Sequence, residues 1–148
     1  MPIVYTSVDI ADATLDHVWD VVCAFDRYPP LMPDVLEVNF LERSETEAVS
    51  AWRVLLNGSE MTWEERDVFV PKSRIDFEQI DGDLEVFRGS WLLSEIEGGV
   101  RVSLSLEFDM GIPSLAAVLD PIGIQAIESN SRTMLTAISE QREPVTHR

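Results

Sequence analysis

The chain has 148 residues, 45% of them hydrophobic and 26% charged, and this composition predicts a single globular domain. Its 27 acidic residues outnumber the 11 basic ones and give a formal net charge of −16. This charge argues against nucleic acid as a partner, because a nucleic-acid-binding surface needs clustered Lys and Arg. It also disfavours docking on anionic lipid surfaces.

The single cysteine and the N-terminal segment bear on the cellular compartment. Cys23 alone can form neither an internal disulfide nor a cysteine-built metal site, and its place on an apolar helix face indicates a buried, inert thiol. Asp9 and Asp12 come before any apolar stretch that could serve as a signal peptide, and no segment approaches the length of a membrane span. We therefore expect a cytoplasmic protein without membrane insertion.

The N-terminal part of the chain is predicted to hold one strand and one helix. Residues Ile3–Ile10 alternate between apolar and polar side chains, which indicates a strand. Thr14 suits a helix N-cap, and the apolar residues after it recur at helical spacing. The helix should end near Asp26, because the proline-rich segment 28–33 fits neither regular helix nor regular strand. That segment is expected to form either a lid over a cavity or a plug of the core.

The middle of the chain is predicted to be a meander of strands. Asn57-Gly58 is a strong hairpin signal, and Asp81-Gly82-Asp83 indicates another tight turn. The connections are too short for parallel crossovers, so the sheet should be antiparallel. The predicted strands contain or span Leu36–Phe40, Trp52–Leu56, Met61–Val70, Ile75–Ile80, Leu84–Glu95 and Val100–Asp109.

One long helical stretch, from about Pro113 to Gln141, follows the last strand. Asp120-Pro121 has the pattern of an N-cap and a first helical residue, which predicts a kink or an interruption there. The apolar stripe of this helix is predicted to consist of Ile124, Ile127, Met134 (or Leu135) and Ile138, with small and polar residues such as Asn130 beside it.

These elements predict an α+β helix-grip fold. A seven-stranded antiparallel sheet with only one long helix to cover it must wrap around that helix, and such wrapping commonly leaves an internal cavity. The domain is expected to span residues 1–141, and residues 142–148 to form a flexible tail. A protein of this kind is expected to hold small molecules.

The strand Met61–Val70 carries the most unusual charge pattern. Because side chains alternate along a strand, Trp63, Glu65, Asp67 and Phe69 share one face, and Thr62, Glu64, Arg66 and Val68 share the other. Either set placed inward brings an ionisable group to the concave face, where an unpaired charge is costly. Alternatively, a bulge or an exposed strand end lets all the charges reach water.

Arginines and aromatic residues supply the other candidates. Arg53, Arg74 and Arg88 could pair with glutamates on the outer face, or hold a carbonyl oxygen on the inner face. The tryptophans and phenylalanines could line an apolar ligand site, although each alone is more often part of a core. The candidate substrate-binding residues are Met32, Trp52, Arg53, Trp63, Phe77, Arg88, Trp91, Phe108, Asn130 and Met134.

The sequence shows no pattern of a metal or cofactor site. His17 and His147 lie far apart in the chain, so no histidine pair or histidine–carboxylate cluster is expected to bind metal, and a Ser-His-Asp triad is not expected either. There is also no glycine-rich phosphate loop. An enzyme with this sequence is therefore expected to use no cofactor and to work through carboxylate, tyrosine, arginine and ordered water.

The chain resembles the START-like (Bet v 1-like) superfamily, specifically its polyketide cyclase/dehydrase and coenzyme-Q-binding branch. The resemblance spans Ile3 to Ile138 and is carried by Val18-Trp19 with Asp26 and Tyr28-Pro29, Gly89-Ser90-Trp91 and Phe108-Asp109-Met110. Within that branch the chain looks most like single-domain aromatase/cyclases. The resemblance implies an interior pocket in which a poly-β-ketone chain, presented by an acyl carrier protein, is cyclised and dehydrated.

The resemblance also implies roles for particular residues. Tyr28 falls where the family has an aromatic residue at the pocket, and Trp63 and Trp91 fall near pocket tryptophans. The family's aromatase/cyclases carry a catalytic arginine a few residues after the tryptophan of the fourth strand. Here Arg66 has the opposite parity to Trp63, so without a bulge the catalytic arginine is missing.

Two functions follow from these observations, with a third, weaker one. The first is a cyclase-like enzyme in which Glu65 or Asp67 is the general acid/base, and Tyr28 with an arginine orients the carbonyl groups. The second is a non-catalytic carrier of a quinone, lipid or biosynthetic intermediate, and the third is a structural partner in a biosynthetic complex. In each case the protein is expected to be a monomer or a homodimer.

Overall fold

The computed structural model describes residues 2–111 and 116–141, except for the side chains of residues 116–118. The chain begins with strand β1 (Ile3–Ala11), helix α1 (Leu15–Cys23) and one 3-10 turn, Phe25–Arg27. The later elements are β2 (Val35–Arg43), β3 (Glu47–Leu56), β4 (Ser59–Val70), β5 (Arg74–Gly82), β6 (Val86–Ile96), β7 (Gly99–Asp109) and α2 (Ala116–Ser139). The predicted tail, residues 142–148, and the predicted helix start at Pro113 lie outside the described residues.

The seven strands form one antiparallel sheet in the order β1-β7-β6-β5-β4-β3-β2. Strands β2 to β7 are consecutive neighbours, whereas β1 returns to pair with β7 from Ile3 opposite Glu107 to Ala11 opposite Gly99. The segment that contains α1 therefore connects the two edge strands. This arrangement, with α2 packed against β1, confirms the predicted α+β helix-grip fold.

Local sequence accounts for the boundaries of two of these elements. The Thr14 side chain accepts a hydrogen bond of 3.3 Å from the His17 backbone N–H, which caps α1 as predicted. Asn57 and Gly58 have φ angles of 52° and 81°, the left-handed values that a tight hairpin between β3 and β4 requires.

The structure corrects two predictions for the long helix. Helix α2 runs through Pro121 without interruption, so the interruption predicted at Asp120-Pro121 is wrong, whereas a kink there stays a prediction. Ile124 is 36% exposed and does not belong to the buried stripe. Gly123 is buried in its place, because the absence of a side chain lets the helix lie directly on the ring of Phe108.

A third correction concerns the turn between β5 and β6. Gly82 belongs to β5, and the turn lies at residues 83–85 instead of at Asp81-Gly82-Asp83. Strand β5 contains one extra residue at Ile80, where the register with β4 shifts between the pairs Glu64–Asp81 and Glu65–Gln79.

Candidate functional site

A small cavity lies between the inner face of the sheet and the middle of α2. Its volume is about 40 Å³, which is enough for one to a few water molecules but far below the few hundred Å³ of a typical ligand pocket. Binding of a larger ligand therefore requires the cavity to expand. The lining residues are Trp52, Val54, Trp63, Glu65, Phe77, Phe87, Trp91, Leu104, Leu106, Asn130, Ser131 and Met134.

The register of β4 places two carboxyl groups inside the sheet. Glu65 is 3% exposed and Asp67 is fully buried, and both share the inner face with Trp63. Of the two alternatives that the sequence left open, the inward arrangement is therefore the observed one. Strand β4 pairs continuously with β3, with Trp63 opposite Trp52 and Asp67 opposite Ala48, so no bulge there turns the carboxyl groups outward.

Two hydrogen bonds end on this pair of carboxyl groups, and a third supports one of their donors. The Trp63 indole N–H donates to Glu65 Oε1 at 2.8 Å. The Ser50 hydroxyl donates to Asp67 Oδ2 at 2.6 Å and accepts from the Trp52 indole N–H at 2.9 Å. Two neighbouring strands thus fix the orientation of both carboxyl groups.

Burial decides the protonation of Glu65. Desolvation raises the pKa of Glu65 well above its usual range, and the hydrogen bond with Asp67 raises it further, against a smaller lowering by Trp63. Burial also raises the pKa of Asp67, whereas hydrogen bonds from Glu65 and Ser50 lower it. Asp67 Oδ1 has no hydrogen-bond donor among the described residues, and the two carboxyl groups titrate as one pair whose protonated form is favoured by burial.

Tyr28, the third predicted catalytic residue, is fully buried but does not line the cavity. Its hydroxyl donates a hydrogen bond to the Val22 carbonyl, and its ring packs edge-on against Trp52 and Trp91 with centroid distances of 5.8 and 6.2 Å. Burial raises the pKa of Tyr28 well above its usual value, so the phenol stays neutral. Tyr28 therefore packs on the far side of Trp52 and Trp91, two residues that line the cavity.

Two predicted substrate-binding residues, Arg53 and Arg88, lie on the outer face of the sheet and do not line the cavity. Their neighbours Trp52 and Phe87 point inward, and strand alternation turns both arginines outward. Each forms surface ion pairs instead, which typically contribute little stability. The pairs are Arg53 with Glu37 (3.4 Å) and Glu60 (3.2 Å), and Arg88 with Glu107 (2.6 Å) and Glu78 (3.9 Å).

The remaining predicted residues divide into two groups. The structure brings Glu65 together with six predicted substrate-binding residues around the cavity: Trp52, Trp63, Phe77, Trp91, Asn130 and Met134. Met32 and Phe108 are buried in the core but do not line the cavity.

The sequence analysis missed Ser50 and Ser131. Ser131 lies four residues after Ile127 and four before Leu135, so it interrupts the apolar stripe with one polar residue, a signal that could have identified it. Ser50 lies two residues before Trp52 on the inner face of β3. Its hydrogen bond to Asp67 depends on the register between β3 and β4, which the sequence does not show.

Residues 2–111 and 116–141 contain no group of three or more His, Cys, Asp or Glu side chains that could hold a metal ion. No helix in this part of the chain is both long and apolar enough to cross a bilayer.

A sheet that grips one long helix over a mostly apolar cavity defines a START-like protein. The chain belongs to the polyketide cyclase/dehydrase and lipid transport family, whose model matches residues 11–135. A curated relative, the ribosome association toxin RatA of Pseudomonas aeruginosa, is 27% identical over 124 residues, which cover 83% of each chain.

Solved structures show the same fold. The protein TTHA0849 of Thermus thermophilus superposes with a TM-score of 0.86 at 21% identity, covering 94% of this chain and 95% of that one. The Zhui aromatase/cyclase of a Streptomyces species superposes with a TM-score of 0.83 at 20% identity, covering 93% and 91% of the two chains. At such identities these similarities establish the fold alone.

Proposed function

We propose that the protein is a cofactor-independent cyclase/dehydratase of polyketide-type carbonyl compounds, with Glu65 as its general acid/base. One observation carries this proposal: among the twelve lining residues, Glu65 alone is ionisable, and burial raises the pKa of its carboxyl group well above the usual range. A carboxylic acid of raised pKa at an apolar cavity is suited to proton transfer near neutral pH.

The carboxyl pair can perform dehydration without a net change in its own protonation. In a β-hydroxyketone, Glu65 gives its proton to the leaving hydroxyl group as the C–O bond breaks and water departs. In the same step the pair takes the proton from the adjacent carbon, whose C–H electrons form the new double bond as the hydroxyl group leaves. Asp67 does not touch the cavity, so it acts as a positioning residue that accepts the Glu65 hydrogen bond.

Ring closure uses the same proton. As an enol carbon attacks a second carbonyl group, Glu65 donates its proton to the oxygen that becomes a hydroxyl group, and the enol O–H proton returns to the carboxyl pair as the enol becomes a ketone. Arg66 takes no part, because it lies on the outer face and pairs with Glu47 at 3.5 Å. A substrate presented by an acyl carrier protein would leave the carrier outside and place only the chain in the cavity.

A non-catalytic carrier of an apolar ligand is the second candidate. Nine of the twelve lining residues are apolar, and none is a cation that could bind an enolate. The name of the curated relative suggests ribosome binding for that protein. The net charge of −16 disfavours such a function for this chain, since ribosomal RNA would repel it.

Turnover of a β-hydroxyketone thioester distinguishes an enzyme from a carrier. Enone formation by the wild-type protein should fall about 100-fold or more in Glu65→Gln, because general acid–base groups contribute roughly 10²–10⁴-fold. Glu64→Gln is the matched control, since Glu64 is the next residue of β4 and lies on the outer face, opposite Asp81. Binding without turnover by the wild-type protein would establish the carrier instead.

A further inference from the structure

The wall of the cavity formed by α2 holds two polar groups without partners. Ser131 is 1% exposed and its hydroxyl makes no hydrogen bond to any described group, and the Nδ2 atom of half-buried Asn130 makes none either. Both residues line the cavity. Buried polar groups without partners cost stability, so two of them in one cavity call for an explanation.

Other hydroxyl groups of the same helix show how Ser131 could have been satisfied locally. The Thr133 hydroxyl donates to the Ser129 carbonyl at 3.0 Å, and the Ser139 hydroxyl donates to the Thr136 carbonyl at 2.6 Å. Such bonds to carbonyls of the preceding turn are the usual arrangement for Ser and Thr in helices. The Ser131 hydroxyl remains available for a group inside the cavity.

The opposite wall presents Glu65. The cavity thus has a carboxyl group on the sheet side and an amide and a hydroxyl group on the helix side, with aromatic and aliphatic walls between them. A ligand that satisfies the helix side needs a hydrogen-bond-accepting oxygen on an otherwise apolar body. No Lys or Arg lines the cavity among the described residues, so a carboxylate would lose its hydration without gaining a cation.

We propose that Ser131 and Asn130 form a carbonyl-binding site opposite Glu65, which selects neutral ketones and phenols and rejects carboxylates. This inference rests on the proposed function and deepens it, because it defines the chemical class of the ligand. The site also gives the two donors of α2 a role that no apolar carrier cavity requires.

The test compares three small probes of similar shape. Acetophenone has one carbonyl oxygen, ethylbenzene has no acceptor, and benzoate carries a charge. Binding is followed through the indole N–H signals in ¹H–¹⁵N NMR spectra, where Trp52, Trp63 and Trp91 line the cavity. Trp19 on α1 does not line it and serves as an internal control.

Acetophenone should shift the three cavity indole signals and bind roughly 3- to 10-fold more tightly than ethylbenzene, the range expected for one net hydrogen bond. Benzoate should bind at least about 10-fold more weakly than acetophenone at pH 7, since a buried unpaired charge is costly. Ser131→Ala should remove the advantage of acetophenone over ethylbenzene, whereas Thr133→Ala should retain it.

Several results would overturn the inference. The first is equal affinity of the wild-type protein for acetophenone and ethylbenzene. The second is binding of benzoate as tight as that of acetophenone. The third is the absence of any shift of the cavity indole signals at millimolar acetophenone. An unchanged preference in Ser131→Ala would mean that its hydroxyl serves only a bound water. None of these measurements involves turnover. A ketone preference together with unimpaired turnover in Glu65→Gln would therefore refute the proposed function and leave the carbonyl-binding site standing.

Discussion

The indole rings of Trp52 and Trp63 stack face to face across β3 and β4, with their centroids 5.6 Å apart and their planes inclined by only 5°. Directly opposite positions in the register bring the two rings together. Their N–H groups diverge: Trp63 donates to Glu65 directly, and Trp52 reaches Asp67 through Ser50. One aromatic pair therefore orients both carboxyl groups.

Removal of the Ser50 hydroxyl should disturb both of its partners. Ser50→Ala leaves Asp67 Oδ2 and Trp52 Nε1 without this bond, which should lower the free energy of unfolding by about 2–4 kcal/mol. It should also raise the pKa of Asp67 further, because the Ser50 hydrogen bond lowers it. Urea unfolding measures the first effect and carboxyl NMR the second. Exposed Ser94→Ala is the control, and a loss as small as that of the control would refute the role of Ser50.

Glu65 should make stability depend on pH. Between the ordinary pKa of 4.5 and the raised pKa of the folded state, the native protein binds the Glu65 proton that the unfolded chain releases. The free energy of unfolding therefore falls as pH rises through this window. Gln at this position cannot ionise, so Glu65→Gln should gain stability relative to wild type with rising pH, by at most about 1.4 kcal/mol per pH unit.

Urea unfolding of wild type and Glu65→Gln at a series of pH values measures this difference. Glu64→Gln should show no comparable trend, because Glu64 lies on the outer face of the same strand. A Glu65→Gln difference that stays constant between about pH 4.5 and pH 8 would mean that the Glu65 pKa is not raised in the folded protein.

Gly123 determines how closely α2 approaches the sheet. A Cβ atom at this position would lie 2.8 Å from Cε2 and 3.0 Å from Cζ of the fully buried Phe108 ring. Gly123→Ala should therefore destabilise the protein by about 1 kcal/mol, since overpacking of about 1–3 kcal/mol exceeds the helix-propensity gain of about 0.5–1 kcal/mol.

The clash itself can be tested with a double-mutant cycle. In a Phe108→Leu background the same Gly123→Ala change should be neutral or stabilising, because the ring atoms nearest the new Cβ are gone. Thermal unfolding of the four proteins gives the coupling free energy, and additive effects would contradict the predicted contact.

Cys23 should be an unreactive thiol, as the sequence predicts. Burial raises its pKa to about 12, despite a lowering by the Arg43 charge. Relative to the usual 9.0, the thiolate fraction at pH 8 is roughly a thousand-fold lower. Modification by a disulfide reagent should therefore be at least about 100-fold slower in the native protein than in urea. Similar rates in the two states would show an accessible thiolate.

The fold could be predicted from sequence because its signals are local. Alternation in Val100–Asp109, the Asn57-Gly58 hairpin and the Thr14 cap each report on a few neighbouring residues. The site depends instead on pairing between strands. Whether Glu65 faces inward is decided by the register of β4 against β3 and by the extra residue of β5 at Ile80. Neither the register nor the extra residue can be read from the sequence of β4 alone.

Helix α2 illustrates the same limit. Helical periodicity alone favoured Ile124 as a core residue, but the contact with Phe108 requires Gly123 at the interface and turns Ile124 toward solvent. The asparagine at position 130 was predicted to lie at the site, whereas the neighbouring Ser131, which lies within the apolar stripe, was not predicted.

Whether Glu65 carries a proton at neutral pH can be measured from the carboxyl ¹³C chemical shift of Glu65. Titration from about pH 3 to pH 9, with Glu65→Gln to assign the signal, should show Glu65 protonated at pH 7, because desolvation and Asp67 both raise its pKa. A Glu65 signal that titrates near its ordinary pKa of 4.5 would contradict the account.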